Sequence, residues 1–208
     1  MAEVTALKKV SKGRVQVELD GEEAFVLYKG EAGRLSIEEG RELSAAETER
    51  IFSEILLPRA IKRLLFLLGR KDYTERQLSE KLMSSGYPAD VVGKAVEAVK
   101  AYGYTGDADY VRRYLSCYGG RKSRGSMRMQ LAQRGISRTL IDEAFAEWEA
   151  DEAAAGRDEQ ELIRELLERR HYDPATADAG EKRRQYAFLA RRGFRSSDIS
   201  AILFREAG

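Results

Sequence analysis

The hydrophobic positions of the chain change period once. Residues 14–28 alternate, with Val15, Val17 and Leu19 apolar against Gln16, Glu18 and Asp20, which is the period of a half-buried strand. Asp20 and Gly21 supply the positive-φ pair of a tight turn, so residues 24–28 form the predicted return strand of a β-hairpin. A lone hairpin is marginal in water and needs a surface to lean on. The predicted support is residues 40–57, where Ser44 stands as an N-cap and Ile51, Ile55 and Leu56 make a helical stripe.

From Pro58 onward the strand period gives way to a helical one. Residues 59–70 carry Ile61, Leu64, Leu65 and Leu68 with Lys62, Arg63 and Arg70 interleaved. Thr74 and Gln77 form a capping box that opens a second helix, with Leu78 and Leu82, ending at Gly86. Residues 89–102 give a third, with Val92, Val96 and Val99 on one side.

This three-helix pattern recurs. With Gly86, Gly135 and Gly193 as origins, position −4 is Leu82, Leu131 and Leu189, and position +1 is Tyr87, Ile136 and Phe194. Position +6 is Val92, Ile141 and Ile199, position +10 is Val96, Phe145 and Leu203, and position −1 is polar in each unit. Glycine at such an origin closes a helix in the left-handed conformation while the next residue plugs the corner. First helices recur at 59–70, 107–118 and 158–170, with loops of varying length between them and the glycine. The expected architecture is therefore mainly α: three tandem three-helix repeats in an elongated curved array, with an N-terminal β-hairpin extension. The expected divisions are 1–57, 58–106, 107–157 and 158–208.

Composition narrows the class. The 208 residues are 34% charged with only 3 Pro, which favours helix. Cys117 is the single cysteine, so neither an intramolecular disulfide nor a zinc site built on cysteines is expected, and a reducing, cytoplasmic setting is. Residues 1–10 lack the apolar core of a signal peptide, and no apolar run approaches a membrane span. The net charge of +1 excludes the bulk basic excess of a dedicated nucleic-acid binder. It hides an uneven distribution, however: between Asp109 and Asp142 there is no acid, while Arg112, Arg113, Arg121, Lys122, Arg124, Arg128, Arg134 and Arg138 all fall inside. Several of these flank a loop and a helix start, where the helix dipole disfavours cations. That placement hints at an external anion or an acidic partner.

Catalytic constellations fare poorly. His171 is the only histidine, which argues against a triad or zinc site built on it. Gly120 and Gly125 have P-loop spacing, but Ser126 stands where the lysine belongs and no strand precedes. Asp107 and Asp109 read as N-terminal helix acids. Tyr110, Tyr114 and Tyr118, four residues apart, read as core packing, with a base-stacking platform as the lesser alternative. No enzyme, cofactor or metal is expected.

The residues Thr74, Gln77, Leu78, Lys81, Leu82, Gly86 and Tyr87 follow the pattern Ser/Thr-x-x-Glu/Gln-Leu-x-x-Lys-Leu-x-x-x-Gly-Tyr of the RecX family, and the stretch from Gly103 to Tyr110 resembles that family's Gly-Tyr-Leu-Asp-Asp-x-x-Tyr. Met127, Arg128, Leu131, Arg134, Gly135 and Ile136 fit its basic helix ending in Lys/Arg-Gly-Ile. Thr105 and Gly106 depart from the usual Leu and first Asp, and Val111 from the usual Ala. The resemblance spans roughly Val4 to Phe204. It implies a monomeric, non-enzymatic regulator that binds the RecA recombinase in its nucleoprotein filament and usually inhibits or destabilises it. Under that reading the candidate partner or DNA contacts are Arg70, Lys71, Arg112, Arg113, Arg121, Lys122, Arg124, Arg128, Arg134 and Arg138. The competing reading is an independent helix-turn-helix-like DNA-binding module, for which near-zero charge outside the central run predicts weak, salt-labile binding.

Overall fold

A computed structural model describes residues 1–154 and 158–204. Its contacts divide the chain into two compact units, Met1–Gly106 and Asp107–Gly208.

The first unit opens with β1 (Ala2–Ser11), β2 (Arg14–Leu19) and β3 (Glu22–Tyr28), followed by α1 (Lys29–Arg34) and a short β4 (Glu42–Leu43). The predicted hairpin is β2–β3, paired antiparallel around Asp20 and Gly21 at φ 51° and 89°. It belongs to a four-stranded antiparallel sheet of order β3-β2-β1-β4. The hairpin thus leans on a long first strand as well as on helices. That strand escaped the alternation test because its register shifts between Val4 and Ala6, and such a bulge breaks the two-residue period.

Ser44 caps α2 (Ala45–Ile51) in a reciprocal capping box with Glu47. The helix runs on through a π-helical turn, Phe52–Leu56, into α3 (Leu57–Leu68). Within this turn the Leu57 N–H donates to the Phe52 carbonyl. The widening falls at Pro58, which lacks an N–H and crowds the preceding turn, so the helical run passes through the proline. α4 (Glu75–Met83), with its Thr74–Gln77 capping box, and α5 (Ala89–Ala101) complete the unit. One core joins Val4, Val17, Phe25 and Leu27 of the sheet to Leu56, Leu64, Leu78 and Val96 of the helices, so the sheet and first helices fold as one body. Arg59 rivets the seam. Its guanidinium pairs with Glu31 at 2.7 Å, donates to the Val26 carbonyl at 2.6 Å and to the Tyr87 hydroxyl at 3.2 Å, and lies 5.0 Å from the ring centre of Tyr28.

The second unit contains α6 (Asp107–Tyr118), α7 (Arg124–Gln133) and α8 (Arg138–Ala154), then α9 (Glu159–Glu168), α10 (Ala179–Arg191) and α11 (Ser196–Leu203). Each triplet has its own apolar core, one around Leu115, Met127, Leu131 and Phe145, the other around Ile163, Leu189, Ile199 and Leu203.

The three glycine corners are built alike. Gly86, Gly135 and Gly193 have φ of 83°, 91° and 83°. The N–H of the following residue donates back across the corner to the leucine at −4: Tyr87 to Leu82 at 3.3 Å, Ile136 to Leu131 at 3.2 Å, and Phe194 to Leu189 at 3.3 Å. This is the helix-closing geometry that a left-handed residue permits. All three leucines are fully buried.

At Gly86 the missing side chain has a second use, because a Cβ there would lie 2.3 Å from Val26 Cγ2. Gly86→Ala therefore combines left-handed strain of about 1–2 kcal/mol with overpacking of about 1–3 kcal/mol. Gly40→Ala, at φ 82° with open space around it, carries only the first cost. Urea unfolding is expected to show Gly86→Ala as the more damaging variant, and equal midpoints would contradict this packing.

Candidate interaction surface of the second unit

The acid-free basic run does not form one patch. Its members fall into five separate environments.

On α6 the four-residue spacing of Tyr110, Tyr114 and Tyr118 makes a row, with ring centres 6.5 Å apart for the first pair and 4.6 Å for the second. Tyr114 is buried and the others pack beside it, as core packing requires. Two cations cover this row. Arg134, just after α7, stacks 4.9 Å from the Tyr114 ring and donates to the Tyr110 hydroxyl at 2.6 Å. Lys122 sits 3.9 Å from the Tyr118 ring and donates to Gln130 Oε1 at 2.8 Å. Tyr114 donates to the same Gln130 oxygen at 2.7 Å. Burial pushes the Tyr114 phenol above its ordinary value. Contacts of a cation over a ring contribute about 0.5–2 kcal/mol, more as water is excluded.

On the α7–α8 side, Asp142 gathers two arginines: Arg128 pairs with it while lying 4.1 Å from the Phe145 ring, and Arg138 approaches at 3.7 Å. Arg112 pairs with Asp109 one turn back on α6. Arg113 and Arg121 are exposed. In the first unit, Arg70 lies 4.3 Å from the Phe66 ring and Lys71 4.7 Å from that of Tyr73.

Arg124 has the most informative surroundings. It is the first residue of α7, where the helix dipole disfavours a cation, and the compensating anion comes from within the chain. Glu159, the first residue of α9, is buried and accepts the Arg124 backbone N–H at 2.7 Å. The Arg124 Nε lies 3.9 Å from the other Glu159 oxygen and 3.7 Å from Glu149. Ser123 caps α7 by accepting the Ser126 N–H at 3.2 Å and donates its hydroxyl to the Arg192 carbonyl. Gly125 completes the contact, since a Cβ on it would lie 2.3 Å from the Gly193 carbonyl oxygen. The start of α7 is thus seated against the third corner through polar groups, and Gly125 of the P-loop-like spacing serves this close approach, while Gly120 has open space around it. Local sequence gave no sign of Glu159 in this role, because it lies 35 residues from its partner.

His171 occupies a left-handed corner at the end of α9, with φ 54°, and its N–H donates to the Glu168 carbonyl at 2.8 Å. It acts as a helix stop where the other corners use glycine. Among the described residues no group of histidine, cysteine and carboxylate side chains is placed to hold a metal ion, and no helix is long and apolar enough to cross a membrane.

Burial raises the Glu159 carboxyl above its ordinary value of 4.5, opposed by the N–H and charge of Arg124. An acid that holds its proton more tightly when folded adds stability below its unfolded value, and that contribution is lost as pH rises through the raised value. Glu159→Gln keeps an acceptor for Arg124 without the charge. It is expected to flatten the pH dependence of urea unfolding above pH 4.5 and to match or exceed the parent protein at neutral pH. Glu159→Ala orphans the Arg124 N–H and is expected to lose about 1–3 kcal/mol. An unchanged pH slope in Glu159→Gln would contradict this.

The first three-helix domain of RecX proteins matches residues 60–97 and the third matches residues 158–203. The regulatory protein RecX of Trichlorobacter lovleyi is 37% identical over 146 residues, covering 68% of this chain and 91% of that protein. That of Caldanaerobacter subterraneus subsp. tengcongensis is 28% identical over 169 residues, covering 79% and 81%. A crystal structure of regulatory protein RecX superposes with a TM-score of 0.59 at 22% identity over 99% of this chain and 100% of the other. RecX from Lactobacillus salivarius gives 0.56 at 15% identity over 71% and 94%. By these matches, and with three-helix units that turn on corner glycines, this chain belongs to the RecX family of regulatory proteins.

Proposed function

We propose that the protein is a non-enzymatic, cytoplasmic, monomeric regulator that binds the RecA recombinase and its nucleoprotein filament and inhibits or destabilises it during recombination and DNA repair. The observation that carries this reading is the match along most of its length to proteins named as RecX regulators. Tandem three-helix units support it, because successive small surfaces suit successive subunits of a filament. Division of the helical part at 58–106, 107–157 and 158–208 belongs to the same proposal.

The placement of the cations refines the expected contacts. Lys122, Arg124, Arg128 and Arg134 hold tyrosines, phenylalanine or carboxylates of the chain itself. A surface that bound duplex DNA by itself through these groups would give up those contacts, which favours a recombinase partner over an independent DNA-binding module. The side chains best disposed to meet a partner are Arg121, which is exposed, and Arg138, whose side chain is 96% exposed. Arg112 and Arg113 lie on the exposed side of α6, and Arg70 and Lys71 offer a separate basic end in the first unit.

The Arg121→Glu, Arg138→Glu double variant is expected to weaken inhibition of RecA-driven strand exchange by about tenfold or more, a loss of at least about 1.4 kcal/mol of binding. Its helicity should equal that of the parent protein. Parental inhibition would remove these two residues from the contact. Co-sedimentation with assembled filament, free recombinase or free DNA tests the larger reading: retention by filament supports it, and retention by DNA alone overturns it.

A further inference from the structure

The N-terminal sheet and the first three-helix unit enclose a concave site for which the regulatory reading gives no use. Arg14 reaches it from β2, Tyr28 from the end of β3, Arg59 and Arg63 from α3, and Tyr87 from the corner after α4. The cavity measures about 230 Å³. No carboxylate lines it, although the strands and helices around it carry many.

Arg14 and Arg59 are held rather than loose, and Arg63 is exposed. Arg14 Nε donates to the Ser11 hydroxyl at 3.0 Å. Arg63 lies 5.7 Å from the Phe66 ring, and Arg59 is fixed between the Tyr28 and Tyr87 rings at 5.0 and 5.3 Å. The fixing contacts leave donors over. Three N–H groups of Arg59 are taken by Tyr87, Glu31 and Val26, out of the five a guanidinium carries. Tyr87 accepts from Arg59 Nε, which leaves the hydroxyl's own proton to donate elsewhere. With Glu31 neutralising one arginine, the three arginines leave a surplus of two positive charges. A phosphate monoester carries about −1.5 to −2 near neutral pH and offers three acceptor oxygens, which matches that surplus and donor set. Planar, forked guanidinium groups are suited to just such oxygens.

We propose that this pocket binds a terminal phosphoryl group, carried by a free nucleotide or by the 5′ end of a nucleic acid, and that building it is a function of the N-terminal sheet. The sheet contributes Arg14 and Tyr28, so the site does not exist in the three-helix unit alone. The proposal is independent of recombinase binding and stands or falls without it.

The test is titration calorimetry of the full chain with inorganic phosphate, a nucleoside 5′-monophosphate, a short 5′-phosphorylated single-stranded oligonucleotide and a glutamate-rich peptide, all at one ionic strength set with chloride. Saturable binding of phosphate or of the mononucleotide is expected, weakened at least tenfold in the Arg14→Gln, Arg63→Gln double variant. Those residues are chosen over Arg59 because they do not rivet the seam, and an unchanged unfolding midpoint in chloride confirms that the variant is folded. Tighter binding of the oligonucleotide than of the mononucleotide identifies a nucleic-acid 5′ end as the source, and the reverse a free nucleotide. The proposal is overturned if the parent protein shows no saturable binding of any phosphate ligand, if the double variant binds as well as the parent, or if only the acidic peptide binds.

Discussion

A residue in the left-handed conformation at the end of each unit's second helix is the constraint on which the rest of the fold depends. It turns the chain so that the next N–H reaches back to a buried leucine carbonyl, which sets the angle at which the third helix leaves. Glycine meets the conformational demand at Gly86, Gly135 and Gly193. At two of them the absent side chain also makes room for a neighbouring element: Val26 of β3 against Gly86, and the start of α7 against Gly193. One residue type thereby closes a helix and seats what packs on it. The corners are joints between elements as well as turns within them.

Around these joints, apolar and polar contacts divide the work. Each three-helix group in the second unit buries its own hydrophobic cluster, and polar contacts join the groups: Ser123 to the Arg192 carbonyl and Glu159 to Arg124. Such contacts add little net stability but cost heavily when one partner is removed, so they specify how the groups meet. The cations of the second unit, dense in sequence, are dispersed over tyrosines, Asp142 and Glu159 in space. Charge density along the chain is therefore a poor map of the surface offered to a partner. Solvent exposure marks Arg112, Arg113, Arg121 and Arg138 alike.

What was legible beforehand follows from the range of the chemistry involved. The Ser44 N-cap, the Thr74–Gln77 capping box, the Asp20–Gly21 turn and the glycine corners are each decided within a few residues, and each is present as read. β1 was hidden by its register shift and by the exposed Lys8 and Lys9. α1 was hidden by its length, six residues with two glycines. The helical run through Pro58 depends on a π-turn that no periodicity announces. The anion for the cation-rich start of α7 is not legible locally, because Glu159 is far away in sequence and has the pattern of an ordinary first-turn acid of its own helix. The arginine pocket on the sheet draws on residues from β2 to the corner after α4, and no local window contains it.

Amide hydrogen exchange at the three corners is the most direct test of their central role. If the corners hold the units together, the N–H groups of Tyr87, Ile136 and Phe194 exchange as slowly as the most protected amides of α4, α7 and α10, opening only with the unit that contains them. Exchange at the rate of exposed loop amides would show that the corners fray independently of the cores, and would contradict the account.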